Sequence, residues 1–570
     1  MNSEFRKPHL AKIYVVPEKK RRFVYSREAL TENDIFPYYV LDGGAFFFMN
    51  EIFGTTNSSD LLELTMSGKI FDPLRKADGS IDWERSYNLT DGTGLERRHE
   101  LQSWAQRLYI LLPIAQEFMR THDKKYSHEW LRILRMWIDA SPYEPLDPST
   151  PHVKTTMKWR DMQVSWRTMV LIHSLYMLGT YDDAFEYAEW KYIYDFLELN
   201  LNHLMDETTD AIKTKRYGNH ILQMSSALIS AGVLMPEFPN AYKYLEQGCE
   251  MMLLCEEHKI LSDGASSETC PSYCHFIARL YFEAEMHLEF NGYPQMKGMR
   301  DSVIRQYRWM AETATRDGRT IRFNDSYDMD AHTDIKNVAE IGGFDVEFPT
   351  GSVCKEVSGY VHLRGRRLEA ALDAMDWFGG HQHFGRLQPM LWVDGKEILT
   401  EVGCTNYDNW DSFHWCKLNE AHSVIYSTSI DDKQASRTVK VTNFDAAKQT
   451  ATAVTEVKAN DGRSYTWERT LKLADSFLDI EDKVSASEEM EFNGNFYLSA
   501  RPTTMLDKFN ARQVTDTALI TLTCDKPMTL DRVPCLDGHN KQSYVARCQY
   551  RHTAKEFTVI TRIDCAERVL

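Results

Sequence analysis

Four side chains could together run an elimination. Asn219 and His220 are adjacent, Tyr273 follows 54 positions after Asn219, and Gly380-His381-Gln382-His383 comes far downstream. An amide can donate to a carboxylate and stabilise enolate-like charge on it. A phenol and an imidazole can move protons. Those are the groups needed to neutralise a uronate carboxylate, remove the proton at C5 and protonate the oxygen leaving C4. A phenol of ordinary pKa near 10 is a poor base at neutral pH, and nearby positive charge brings it into range.

Each group also has a plainer reading. On a helix Asn219 and His220 point about 100° apart, and His220 shares a face with Gln223. Mid-helix asparagine is mildly unfavourable because its amide competes for backbone hydrogen bonds, so a helix N-cap role stays open. Tyr273 sits two residues after Pro271, where a Gly/Ser-rich loop ends, and reads equally as a half-buried core aromatic. His381 and His383 are expected on a strand, on one face, roughly 6–7 Å apart. Glu401 follows the hairpin signal Asp394-Gly395, and His422 lies one strand further on. Two imidazoles and a carboxylate (His383, Glu401 and His422) make a Zn²⁺ or Mn²⁺ site. The plainer reading is exposed polar strand residues.

The elements that must position these groups change character along the chain. From about 95 to 340, apolar residues recur at helical spacing. The segments are Leu101–Phe118, Glu129–Ile138, Val164–Leu178, Trp190–Met205, Tyr217–Ala231, Tyr242–Glu257, Cys274–Phe290 and Met299–Thr315. Successive amphipathic helices joined by short turns suggest stacked antiparallel pairs around a central cleft. After about 350, alternation takes over, as in Ser352–Leu363, Thr438–Thr442, Ala451–Val457 and Tyr465–Leu473, with turns at Asp394-Gly395, Asn460–Gly462 and Asp537-Gly538. That texture predicts an antiparallel sandwich. The expected domains are 1–345, an N-terminal arm plus helical toroid, and 346–570, the sandwich, with the boundary inside 330–351.

Composition narrows the partners. A net charge of −17 over 570 residues argues against general nucleic-acid binding, though a local basic cleft can sit in an acidic protein. Lys158, Arg160, Arg167, Lys213, Lys215 and Arg216 cluster in sequence near the candidate residues, and each reads equally as a solvated helix end. No run approaches the roughly 18 apolar residues of a membrane span. Residues 1–25 are basic and polar without an apolar segment of signal-peptide type, so either the chain works in the cytosol or a leader is missing. The 11 cysteines are scattered without a Cys-x-x-Cys pair, which reads as free, buried thiols.

Taken together the segments resemble the heparinase II/III-like polysaccharide lyases. The blocks are Leu95–Leu101, Trp159–Arg167, Asn219-His220, Asp263–His275, Asn324-Asp325-Ser326, Gly380–His383, Glu401-Val402-Gly403 and Ala421–Val424. They occur in the family's order across about 90–430. Glu401 departs from the aspartate usual at its position, which lengthens the arm by one methylene.

The resemblance implies a multidomain α + β protein, an incomplete (α/α) toroid followed by an antiparallel β-sandwich, acting on an acidic polysaccharide. Asn219, with His220, would hold the uronate carboxylate. Tyr273 would be the acid toward the C4 oxygen, and also the base on glucuronate. His381 would be the base on iduronate. His383, Glu401 and His422 would hold a structural Zn²⁺ or Mn²⁺, and no organic cofactor is implied. Gln223, Trp159, Arg167, Glu268, Tyr407 and Trp410 are candidate substrate or supporting contacts. The reaction is β-elimination on heparan sulfate, chondroitin sulfate or hyaluronan, in the periplasm or outside the cell. Alginate is the alternative substrate. A hydrolase on the same architecture would need a carboxylate pair roughly 5–9.5 Å apart. Glu96, Glu100, Asp161 and Glu268 are available for that role, and no pair among them stands out. No nucleic acid or membrane insertion is expected, and the oligomeric state is left open.

Overall fold

The computed structural model of the chain describes residues 53–568 apart from 56–57, 85–98, 147–155, 180, 182, 237, 295, 377–379, 405–414 and 537–541. It divides into two compact units. The first takes the described residues up to Lys259 with Ile277–Val303 and Glu340–Gly343, and the second takes Ile260–Phe276, Ile304–Ala339 and Phe344 onward.

The first unit is helical. Its helices are α1 (Ser58–Met66), α2 (His99–Arg107), α3 (Leu111–Thr121), α4 (Lys124–Asp139), α5 (Asp161–Leu178), α6 (Tyr187–Thr214), α7 (Asn219–Leu234) and α8 (Ala241–Lys259). α5 and α7 are buried all round, from Gln163 to Leu178 and from Ile221 to Leu234, as expected of helices enclosed by others. α8 packs closely on α7. A Cβ on Gly248 would stand 2.9 Å from the Ser225 carbonyl, and one on Gly232 would stand 2.7 Å from that of Ala241. The single helix expected over Leu101–Phe118 is two. Pro113 has no N–H for the carbonyl four residues back, and the chain breaks at Leu108, whose φ is +57°, before α3 restarts.

Helices α9 (Pro271–Phe290), α10 (Met299–Thr313) and α11 (Ala331–Gly342) pass between the units in sequence. The second unit is built on one antiparallel sheet of 15 strands. Strands β1 (Val353–Lys355) to β5 (Lys396–Leu399) run as successive neighbours. The long β10 (Phe477–Leu498) and β15 (Gln542–Glu567) pair along their length and carry the remaining strands on their flanks. β8 (Thr450–Lys458) and β9 (Ser464–Leu473) alternate buried and part-exposed residues, the pattern of a half-covered sheet. β2 (Tyr360–Arg364), β3 (Leu368–Asp373) and β4 (Gln388–Val393) are buried on both faces. The β4–β5 turn falls at Asp394-Gly395, both at positive φ, as a two-residue hairpin requires. Ser352–Leu363 is not one strand. It is the β1–β2 hairpin, turning where Gly359 has φ +74°. Asp537-Gly538 lies outside the described residues.

Candidate active site

The second unit gathers its candidate groups on one turn, Asn324-Asp325-Ser326. Asn324 has φ +61°, which asparagine tolerates better than most residues. Its Nδ2 donates to the Thr269 carbonyl at 2.9 Å and its Oδ1 accepts from His383 N at 3.0 Å. Ser326 Oγ accepts from Ser272 N at 2.9 Å. One turn therefore ties the 269–273 segment to the 380–386 segment. Arg386 braces the same turn, donating to Asn324 Oδ1 at 2.8 Å and to Asp373 Oδ1 at 3.1 Å.

Tyr273 stands on the first turn of α9, which opens with proline at its first helical position. Its ring stacks on His381 with centroids 3.8 Å apart and planes inclined by 30°. Behind His381, the Nδ1–H donates to Asp325 Oδ2 at 2.8 Å. That bond fixes the tautomer and leaves the Nε2 lone pair as the basic position. Nε2 is 3.9 Å from Glu268 Oε2, so Glu268 sits beside the pair. Lys417 Nζ is 3.8 Å from Asp325 Oδ2.

Asp325 also accepts from His383. Nε2 of that ring lies 2.7 Å from Oδ1, so each carboxylate oxygen serves a different histidine. Burial alone would raise the Asp325 pKa, but the hydrogen bonds from His381 and His383 hold it well below the usual carboxylate range. Burial lowers the His383 pKa against the pull of Asp325, which keeps this imidazole neutral. Among the described residues its buried Nδ1 has no hydrogen-bond partner, nor has Nε2 of His422, and the two rings lie 5.2 Å apart. His422 Nδ1 is 3.0 Å from the Glu401 carboxylate. Both rings thus have one nitrogen on a carboxylate and one bare nitrogen, the arrangement of metal-binding imidazoles with their outer partners. Their donor chemistry fits a divalent ion. Glu401 is committed to His422 and to Val402 N. Among the described residues no three His, Cys, Asp or Glu side chains converge as a metal set. Gly385 makes room for the His422 ring, which a Cβ there would meet at 2.3 Å.

The expected strand through His381 and His383 is absent. Residues 380–387 form a loop between β3 and β4, with Gly380 and Leu387 at positive φ. The two rings meet because Asp325 gathers them, not because alternate strand residues share a face.

The first unit carries Asn219 and His220 at the start of α7, with Gly218 as N-cap. Asn219 is not mid-helix. Its Oδ1 accepts from His220 N at 2.9 Å, and among the described residues no group hydrogen-bonds its Nδ2. His220 Nδ1 is 3.1 Å from Asp161 Oδ2, and 45% of the His220 side chain is exposed. Asp161 opens α5, where the helix dipole favours an anion. Burial would raise its pKa, yet the hydrogen bond and charge of His220 bring it down to about 2.

Three expected contacts are corrected by their burial. Arg167 is fully buried, 4.2 Å from the Trp137 ring centre and 5.0 Å from that of Trp159, and it donates to Asn200 Oδ1 at 3.0 Å. Burial brings its pKa down to about 9. Trp159 is equally buried and donates to the Pro142 carbonyl at 2.9 Å. Gln223 lies inside α7 with 1% exposure. These side chains build the core, and Gln223, though i+3 from the half-exposed His220, falls where α7 is enclosed on all sides. Tyr407 and Trp410 lie outside the described residues. Sequence reasoning gave Asp325 no role and weighed Asp161 only as a hydrolase carboxylate. Neither residue announces itself, since each acts on a histidine more than 50 positions away.

Residues 54–349 match the heparinase II/III N-terminus family and residues 351–556 the heparinase II/III-like C-terminal family. The chain belongs to the heparinase II/III family. A curated relative, heparin-sulfate lyase of Bacteroides thetaiotaomicron, is 27% identical over 219 residues, covering 38% of this chain and 28% of that protein. The fold is that of a solved heparinase III, at a TM-score of 0.73 and 18% identity over 93% of this chain and 90% of that one. The chondroitin AC lyase of Streptomyces coelicolor, solved with chondroitin sulphate, follows at a TM-score of 0.52 and 10% identity over 93% and 82%. The architecture is accordingly a helical toroid-type region followed by an antiparallel sandwich. Among the described residues no helix is long and apolar enough to cross a membrane.

Proposed function

We propose that the protein is a polysaccharide lyase that cleaves uronate-containing glycosaminoglycans by β-elimination. The observation that carries this is the Tyr273–His381 stack at 3.8 Å with Asp325 behind the imidazole. A phenol and an oriented base stand side by side, which suits removal of one proton and delivery of another. Tyr273 protonates the C4 oxygen as that bond breaks, and on glucuronate it also takes the C5 proton. His381 Nε2 takes the C5 proton on iduronate. Asn219 Nδ2 and His220 hold the carboxylate and stabilise its enolate-like charge. Heparan sulfate is the first substrate to try, since the curated relative bears that activity in its name. Chondroitin sulfate and hyaluronan come next, and alginate is the alternative.

His383 and His422 would hold a Zn²⁺ or Mn²⁺ through their bare nitrogens, and Glu401, expected as a third ligand, would act from behind His422 as the partner of its Nδ1. The ion would brace the loop that carries His381. We assign the enzyme to the periplasm or the exterior. Its free cysteines do not oppose this, because nine of the 11 are buried and burial pushes thiols such as Cys548 and Cys565 up to about 12, where reactive thiolate is scarce.

The test is the ultraviolet absorbance of 4,5-unsaturated product on a panel of these four polymers. Wild type should generate absorbance on at least one. Tyr273→Phe should lower the rate by about 10²–10⁴, and Asn219→Ala by about 10²–10³. Silence on every polymer, with and without added metal, would end the lyase reading. New reducing ends without absorbance would replace elimination by hydrolysis.

A further inference from the structure

A polar cavity lies within the sandwich unit, and none of Tyr273, Asp325, His381 and His383 lines it. Its volume is about 930 Å³, within the range of sites that hold small ligands. On one wall Arg322 donates to Thr400 Oγ1 at 3.0 Å and pairs with Glu397. Burial opposes its charge, but Glu397 more than restores it, so this guanidinium is a fixed cation. Arg501 lines the same cavity and donates Nη1 to the Glu397 carbonyl at 3.1 Å and to Ser499 Oγ at 2.9 Å. Both partners are neutral, and among the described residues no carboxylate lies at ion-pair distance from Arg501, although Asp516, paired with Lys396, also feels its charge. Lys396, also on the wall, pairs with Asp516, which does not line the cavity and is 86% exposed. Solvent weakens a pair of that kind. Of the three lining carboxylates, Glu397 and Asp328 are committed to Arg322 and Arg319, and Asp317 accepts from Thr315 Oγ1 at 2.5 Å. Four lining cations, Arg319, Arg322, Lys396 and Arg501, thus face three lining carboxylates, and Arg501 is the one with no carboxylate at ion-pair distance among the described residues.

Planar guanidinium groups match carboxylate and sulfate oxygens. Ser499 and Ser543 are among the other residues lining the wall. We propose that this cavity is a second glycan-binding site, taking an anionic segment of the polymer, uronate- or sulfate-bearing, away from the Tyr273–His381 cluster. The proposal rests on the lyase reading for its source of polymer. A second foothold raises the local concentration of a long chain at the enzyme, so it lowers KM on polymer and leaves kcat on short oligosaccharides unchanged.

Calorimetry on Tyr273→Phe enzyme, which turns over little, counts the sites. The probes are a size-defined heparan sulfate hexasaccharide, a hyaluronan hexasaccharide and inorganic sulfate. Two sites are expected for at least one hexasaccharide. Adding Arg501→Ala should weaken one of them about 10-fold or more, with part of the loss restored by Arg501→Lys. Binding of the sulfated probe alone assigns the site to sulfate, and binding of both hexasaccharides assigns it to uronate. Inorganic sulfate binding as tightly as the hexasaccharide would overturn a glycan site in favour of a small-anion site. A single site in both backgrounds, or an Arg501→Ala titration superimposable on its parent, would overturn the proposal. If Arg501→Ala misfolds by near-ultraviolet circular dichroism, Lys396→Gln replaces it with the same expectation. An absence of unsaturated product from wild type is a failure of the lyase reading and leaves the site count readable.

Discussion

In the helical unit His220 leans on one carboxylate, Asp161, and keeps nearly half of its side chain in solvent. In the sandwich unit His381 and His383 share a single, fully buried carboxylate, Asp325. The first arrangement is local to two helix starts, and a change there leaves its surroundings little altered. The second is a hub. Asp325 touches the proposed base on one oxygen and the proposed metal-site imidazole on the other, while its neighbours Asn324 and Ser326 hold the Tyr273 segment. Chemistry placed on a hub is rigid and coupled, whereas chemistry placed on helix starts is independent and more readily adjusted.

The sharpest way to break this contrast is a pair of isosteric changes. Asp325→Asn should lower kcat by about 10²–10⁴ and also lower Tm, because two buried histidines lose an anionic acceptor. Asp161→Asn should cost about tenfold or less in kcat, with a smaller fall in Tm than Asp325→Asn. Equal losses for the two variants would show that the units do not differ in this way.

Metal removal sharpens the same contrast. Wild-type protein should carry about one Zn²⁺ or Mn²⁺ by elemental analysis, and chelation should lower its Tm. His422→Ala should abolish both the bound ion and the chelator effect, while Asp161→Asn keeps them. Metal-free wild type with an unchanged melting curve under chelation would remove the ion from the site.

The smallest effect is on acid stability. The Asp161 pKa falls from 3.8 to about 2 on folding, so its contribution is present above pH 4 and fades as pH drops through 2. The shift corresponds to about 2 kcal/mol. Between pH 4 and pH 2, wild type should lose that much stability relative to Asp161→Asn in denaturant titrations. Parallel curves for the two proteins would show that the His220 contact adds nothing.

The helices and strands were largely legible because each writes its period into the sequence. α5 and α7 carry long apolar runs, and β8 and β9 alternate strictly. The failures have local causes. Leu101–Phe118 was expected to be continuous because an apolar period does not register the missing N–H of Pro113. The 380–387 segment reads as a strand because His-x-His mimics alternation, while Gly385 answers to the crowding of the His422 ring. Arg167 and Trp159 carried the residue types of a sugar contact, and residue type does not report depth.

The sequence by itself determined which groups are available for the chemistry, the order of the helical and β regions, and the family, since these are written in residue type and spacing along the chain. Tertiary structure alone decided that Asp325 joins two histidines 56 and 58 positions away, and that Arg167 is core. It also decided that Arg501 lines a cavity with no carboxylate at ion-pair distance among the described residues. Hydrogen-bond partnership and burial are set by distances in space, and chain separation does not encode them.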